Sequence, residues 1–246
     1  MTTPIGQHAI EIQRNAEAWR RKPLLRRLYD GFYDRLLALV DPAVPGALVE
    51  IGSGIGNLKA RVPRAVATDL FPNPWLDVVC DAYRLPFGAG RVSHLILFDV
   101  FHHLQTPAAF FREARRVLAP QGRVIMLDPY ISLTSFPVYG WLHHEPVAWR
   151  APIDPRETPI PNAGYYAAQG NATRVFFASE PVAWLSKWRC LHASASSEFS
   201  YLLSGGFNRA AWYSDRHLDS LRRWDARLSR WPRLFAARCL VALTPA

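Results

Sequence analysis

Ala47-Leu48-Val49-Glu50-Ile51-Gly52-Ser53-Gly54-Ile55-Gly56 reads as a short apolar strand that runs directly into three glycines on alternate positions. Glycines at such a point let backbone N–H groups approach a ligand closely, with the next helix aiming its N-terminus at it. A dinucleotide loop places its third glycine three positions after the second, and the spacing here is different. The helix that follows is short, because Arg61-Val62-Pro63 stops it. Downstream, Ala65–Thr68 reads as a second strand ending at Asp69. Leu76–Cys80 reads as a third, ending at Asp81, and His94–Phe98 as a fourth, ending at Asp99. Their near-continuous apolar runs suit strands covered on both faces. Pro107 to Leu118 has helical periodicity with proline in its first turn, and Pro120-Gln121-Gly122 turns the chain into a fifth strand, Arg123–Leu127.

Strands alternating with helices predict an α/β fold of Rossmann-like type: a seven-stranded, mostly parallel sheet with helices on both faces. Residues 8–40 read as helical, with a break at Pro23. The alternation lapses from Tyr130 to about Thr173, in a stretch rich in Pro, Tyr, Trp and His. It resumes with a helix around Glu180–Trp188, a strand around Cys190–Ser197, a helix around Asp215–Ser229 and a strand around Phe235–Leu243. The organisation expected is an N-terminal helical cap (1–45), a cofactor-binding half (46–129), a substrate-cap insertion (130–178) and a C-terminal half completing the sheet (179–246).

Gly52 to Gly56, Asp69 and Asp81 all fall at carboxyl ends of adjacent strands, where open α/β sheets bind ligands. A carboxylate at Asp69 can accept both hydroxyls of a ribose. The run Val49–Gly56 resembles motif I of class I S-adenosylmethionine-dependent methyltransferases. Asp69 is similar to that family's ribose-binding acid, and Asp81-Ala82 with Leu85-Pro86-Phe87 to its adenine-side motif. Phe98–Leu104 resembles the fourth-strand motif, and Arg115–Arg123 the turn before strand five, with Gln121 in place of one glycine. Within that family the resemblance is to the small-molecule branch that includes quinone-biosynthesis methyltransferases. A fainter likeness, in Leu142–Pro146 and Leu202–Gly206, is to bacterial members found among polysaccharide-synthesis genes. The resemblance implies S-adenosyl-L-methionine as cofactor, held by Glu50, Gly52, Ser53, Gly54, Gly56, Asp69, Leu70, Asp81, Ala82, Asp99 and His103.

His102 and His103 follow the fourth strand, facing the expected methyl-transfer zone, and a neutral imidazole there can accept a proton. His103 and His144 are the candidate catalytic bases; His143, Glu145, Tyr165 and Tyr166 are candidate substrate contacts. Trp141, Phe176 and Phe177 either line an acceptor pocket or form the core of the cap. No metal site is expected, because adjacent histidines on a helix diverge and no further ligand recurs at set spacing. Cys80, Cys190 and Cys239 lack metal or redox spacing and read as three small buried residues. Asp128-Pro129-Tyr130 reads as a strand exit.

Half of the residues are apolar, enough for a sizeable core. Neither an uninterrupted apolar run of about 18 residues nor a signal pattern at Met1–Gln13 is visible, so the expected location is the cytoplasm. A net charge of +9, gathered as arginine at both ends, permits contact with an anionic membrane face without demanding it. The function expected is methylation, on oxygen, of a small-molecule or lipid- or sugar-linked acceptor. A nucleic-acid methyltransferase and a non-catalytic cofactor-binding module are the alternatives. Nucleic acid is disfavoured because the Asn/Asp-Pro-Pro-Tyr motif, the Pro-Cys nucleophile and a separate RNA-binding module are all missing. A nicotinamide oxidoreductase is disfavoured by glycine spacing.

Overall fold

The computed structural model describes residues 4–143, 145–160, 166–180 and 182–246, with side chains from Ile10 onward. Strands β1 (Ala47–Ile51), β2 (Val66–Asp69), β3 (Val78–Val79), β4 (Val92–Phe98), β5 (Leu118–Pro129), β6 (Trp188–Ser196) and β7 (Arg238–Pro245) form one sheet in the order β3-β2-β1-β4-β5-β7-β6. Strands β1 to β5 pair in parallel, and β7 runs antiparallel to both β5 and β6. A single reversed strand therefore gives the mostly parallel, Rossmann-like sheet that the alternation predicts. Successive strands add outward from β1 on opposite sides, so the glycine-rich segment lies at the point where the strand order reverses.

The helices are α1 (Pro4–Arg21), α2 (Pro23–Leu37), α3 (Asn57–Arg61), α4 (Pro107–Val117), α5 (Ser135–Pro137), α6 (Asn171–Phe176), α7 (Phe199–Leu202), α8 (Leu218–Leu228) and α9 (Pro232–Phe235). Side chains alternate across the central strands, which makes two cores. Val49, Leu95, Leu97, Val124, Met126 and Val241 face one side and meet Phe110, Phe111, Ala114 and Val117 of α4. Leu48, Ile96, Phe98, Ile125, Leu127 and Leu240 face the other and meet Leu25, Tyr29, Phe32 and Leu36 of α2. Because α3 is only five residues long, α2 supplies most of the cover over the first half of the sheet.

Three elements and the cysteines depart from the sequence reading. β3 shrinks to two residues because it is an edge strand that pairs with β2 alone, with Val79 exposed. The helix expected over Glu180–Trp188 is a short 3-10 turn, Ala183–Lys187, which stacks Trp184 on Phe111 at 4.9 Å. β7 starts later than expected because Pro232 opens α9 just before it. Of the cysteines, Cys239 is buried, but Cys80 is half-buried and Cys190 is exposed on the outer strand β6, correcting the expectation of three buried thiols.

Gly52 adopts φ +69°, and a Cβ there would lie 2.4 Å from Cγ2 of Val100. Left-handed backbone costs a non-glycine residue about 1–2 kcal/mol, to which the clash adds. Gly52→Ala is expected to lower unfolding free energy by more than this backbone cost. Adding Val100→Ala should recover only the clash. Chemical denaturation of the single and double variants checks the division, and full recovery in the double variant would mean the backbone is not strained.

Candidate active site

The glycine segment is held by a tight polar weave. Ser53 Oγ donates to the Glu50 carbonyl (3.2 Å) and accepts the Thr68 N–H (3.0 Å), while the Ser53 N–H donates to the Thr68 carbonyl (2.8 Å). Ser53 is buried and stitches β1 to β2. The Asp69 carboxylate accepts N–H bonds from Gly54 (3.1 Å) and Leu70 (2.7 Å), which fixes it at the mouth of the loop, with Leu70 exposed beside it. Gly54 and Gly56 have φ of +52° and +72°. Ile12 of α1 closes over this loop: a Cβ on Gly54 would lie 3.9 Å from its Cδ1. Asp81 is exposed at the end of β3 and accepts the Tyr83 N–H (2.9 Å), and Ala82 packs at the margin of the first core.

Glu50 is buried, with the Tyr33 hydroxyl donating to Oε1 at 3.3 Å and Oε2 lacking a partner among the described residues. Burial pushes its carboxyl up to about 8, against the nearby Ser53 hydroxyl and the hydrogen bond from Tyr33. Asp99, in left-handed backbone (φ 57°), pairs with the buried Arg238 of β7. Arg238 sits over the rings of Tyr201 (4.7 Å), Phe32 (5.7 Å) and Phe98 (5.7 Å). One oxygen of the Asp99 side chain thus faces a fixed internal cation, while the side chain keeps 31% exposure.

Past Asp99, the 3-10 turn Phe101–His103 carries both histidines. His102 is buried; its Nδ1 lies 3.1 and 3.2 Å from the Asp128 oxygens, and its Nε2 lies 3.4 Å from Glu145 Oε2. Burial disfavours its cation, but Asp128 and then Glu145 outweigh that and push His102 up to about 10. His103 Nδ1 lies 3.0 Å from the Tyr166 carbonyl, and its Nε2 lies 3.5 Å from Glu145 Oε1. Burial, with the adjacent His102 cation, holds His103 below the ordinary histidine range, so it is neutral near pH 7. Gln169 Nε2 donates to Glu145 Oε2, and the Ala168 N–H donates to the His102 carbonyl (2.9 Å), tying the insertion to the turn.

Of the predicted acceptor-side residues, the structure joins His103 and Glu145 and keeps Tyr166 beside them. His143 is at the margin: its Nδ1 accepts the Glu145 N–H (3.2 Å). His144 and Tyr165 lie outside the described residues. Phe176 and Phe177 pack on Phe101 (5.0 Å) and Tyr130 (5.2 Å), so they are core of the insertion, whereas Trp141 is exposed. Asp128, read from sequence as a strand exit, is fully buried and is the anchor of the cluster. Its signal was a carboxylate in phase with Val124 and Met126 on a strand buried on both faces. Gln169 and Arg238 gave no local signal.

Residues 49–126 match the family model described as a methyltransferase domain. Over that stretch the chain carries a class I S-adenosylmethionine-dependent methyltransferase domain. The fold is similar to that of the methyltransferase in complex with the Trm112 activator of Haloferax volcanii, with a TM-score of 0.53, 16% identity, and coverage of 97% of this chain and 95% of that one. Geranyl diphosphate C-methyltransferase from Streptomyces coelicolor A3(2), in complex with Mg2+, geranyl diphosphate and S-adenosyl-L-homocysteine, has a TM-score of 0.50 at 14% identity, covering 89% of this chain and 78% of that one. At these identities the likeness is one of fold. No curated protein sequence matches the chain.

The cofactor of the domain is S-adenosylmethionine, and the residues present fit it. Gly52, Gly54 and Gly56 leave the loop without side chains, Asp69 stands at its mouth, and the Glu50 carboxyl has an unpartnered oxygen among the described residues.

The raised Glu50 pKa has a consequence for methyltransferase stability. The native state keeps this proton up to about 8, whereas the unfolded chain releases it near 4.5, so the native state binds more protons between those values. Stability from this group therefore falls as pH rises through that window. Glu50→Gln is expected to flatten the fall in melting temperature between about pH 5 and about pH 8. An unchanged slope in thermal melts would show that Glu50 is ionised at neutral pH.

Proposed function

We propose that this domain methylates an oxygen of a small-molecule or lipid- or sugar-linked acceptor, with deprotonation at the Glu145–His103 cluster. The observation that carries this reading is His103, a neutral, one-third exposed imidazole (33%) whose Nε2 lies 3.5 Å from a buried carboxylate. Donation of Nδ1–H to the Tyr166 carbonyl selects the tautomer with its lone pair on Nε2. A proton arriving there from an acceptor hydroxyl is stabilised by Glu145 Oε1, which Gln169 and His102 hold in place. S-adenosylmethionine supplies the methyl group, carried on a sulfonium. Glu50, Gly52, Ser53, Gly54, Gly56, Asp69, Leu70, Asp81 and Ala82 are proposed to hold that cofactor, and the Asp99–His103 turn joins its loop to the acceptor side.

An amphiphilic acceptor is supported by the surface of the insertion. Leu133, Phe136, Trp141 and Leu142 are exposed, with exposures of 71% and 76% for Leu133 and Trp141. Backbone bonds join this segment to Arg233 and Leu234 (Leu133 N–H to the Arg233 carbonyl, 3.1 Å), and Arg209 reaches the Leu142 carbonyl (3.3 Å). Exposed aromatic and aliphatic side chains among arginines suit the headgroup region of an anionic membrane. No described helix is long and apolar enough to cross one. Part of the basic charge is matched internally: Arg27 faces Asp215 and Asp219, and Arg61 pairs with Asp30 and Asp34. This weakens the case for a nucleic-acid substrate.

Calorimetric titration with S-adenosylmethionine is expected to show binding that Asp69→Ala weakens roughly 10- to 100-fold, the cost of losing charge-assisted hydrogen bonds. With lipid-linked sugar and quinol acceptors, His103→Ala should slow methyl transfer by about 100-fold or more. Transfer to oxygen at an undiminished rate in His103→Ala would overturn the role given to this cluster. Flotation with phosphatidylglycerol vesicles at low salt should recover the wild type and lose Trp141→Ser; equal recovery would remove the membrane contact.

A further inference from the structure

Two imidazole nitrogens converge on the buried Glu145 carboxylate. His102 Nε2 and His103 Nε2 lie 3.4 and 3.5 Å from the two Glu145 oxygens, and the three ligand atoms lie within 4.8 Å of one another. A charge-assisted N–H···O bond between such groups closes to about 2.7–2.9 Å. Two nitrogen or oxygen ligands each about 2.1 Å from one tetrahedral cation stand about 3.4 Å apart. The two distances run to different oxygens of the carboxylate, and the two nitrogens with one carboxylate oxygen lie close enough together to share a centre.

The outer atoms fit the same description. Metal-binding histidines donate their second ring N–H to a carboxylate or backbone carbonyl, and their carboxylate partner is itself hydrogen-bonded. Here His102 Nδ1 faces Asp128, His103 Nδ1 faces the Tyr166 carbonyl, and Gln169 Nε2 donates to Glu145. Asp128 is further fixed by the Phe101 N–H (3.1 Å). Two buried carboxylates, Asp128 and Glu145, converge on the buried His102, with the partly exposed His103 on the outer side. A second convergence, Asp99 with His102 and Asp128, is less suited, because Asp99 already pairs with Arg238.

We propose that His102 Nε2, His103 Nε2 and one oxygen of Glu145 bind one divalent transition-metal cation. Two imidazoles and one carboxylate favour a cation of the zinc, cobalt or iron(II) class over magnesium or calcium. The cation takes the place of any proton on His102 Nε2, which is released to solvent on binding. The expectation of no metal site weighed His143, His144 and Glu145 by their sequence spacing. The ligands instead come from two segments that meet only in the fold, the turn after β4 and the insertion. This inference rests on the proposed acceptor reading: with the cation bound, an acceptor oxygen joining it would be ionised by coordination, and in the metal-free protein His103 takes up the proton.

The test is binding, read separately from methyl transfer. Chelator-stripped full-length protein is titrated with Co2+, followed by its visible absorption, and with Zn2+ by calorimetry. One equivalent is expected to bind, with a tetrahedral Co2+ spectrum. Affinity should fall at least about 10-fold in Asp128→Asn and further in His103→Ala and Glu145→Gln. S-adenosylmethionine binding and the thermal melt of Glu145→Gln serve as controls for folding. No Co2+ or Zn2+ binding by wild-type protein that still binds S-adenosylmethionine would overturn the site. So would binding that neither His103→Ala nor Glu145→Gln weakens. Metal binding without methyl transfer to any hydroxyl acceptor would retain the site and remove the acceptor reading.

Discussion

Asp128, a carboxylate with no solvent exposure at the end of β5, fixes the geometry of the whole acceptor side. It accepts the Phe101 N–H and holds His102 Nδ1, so the turn leaving β4 cannot swing away from β5. His102 in turn meets Glu145, and its carbonyl accepts the Ala168 N–H from the far end of the insertion. Removing one member of such a buried pair strands the other without compensation, typically at about 3–5 kcal/mol. The insertion is therefore tied to the sheet by a polar anchor as well as by apolar contacts: Ala172, Val175 and Phe176 join the first core, and Ile131, Tyr139 and Val147 pack with Ala237.

A second buried charge does comparable work on the opposite side of the same turn. Arg238 lies in β7, the reversed strand, and reaches Asp99 among Tyr201, Phe32 and Phe98. Guanidinium over aromatic faces recovers part of the desolvation cost, and the ion pair recovers more. The consequence is conformational. Asp99 holds a positive φ that few non-glycine residues adopt, and it does so between two strands that differ in direction. The reversed strand thus contributes to the site as well as closing the sheet.

What could be read from sequence follows the range of the interactions involved. The strand periods, the glycine spacing, Pro23 and the acids Asp69 and Asp81 are local signals, and the seven-stranded, mostly parallel sheet they imply is the one observed. Long-range partners left no such trace. Asp128 and Glu145 are separated by α5 and a π-helical turn, and only folding brings them to one imidazole. The proximity of His143 and Glu145 in sequence drew attention to that pair, while the stronger contacts of Glu145 are with His102 and His103. The shortfall of β3 is similar in kind: its apolar composition suits a covered strand, yet its place at the sheet edge is set by the other six strands.

The turn Asp99–His103 is the element common to both halves of the site. Val100 lies so close to Gly52 that a methyl group there would collide with it, while two residues later His102 and His103 begin the acceptor cluster. Methyl transfer from sulfur requires donor and acceptor to be held about 3–3.5 Å apart and in line, and small displacements are costly. In this chain the distance between the glycine loop and the Glu145 cluster is set by a five-residue turn clamped by Arg238 at one end and Asp128 at the other. The two buried charges, each expensive alone, together make that turn a rigid gauge between the cofactor loop and the proposed acceptor cluster.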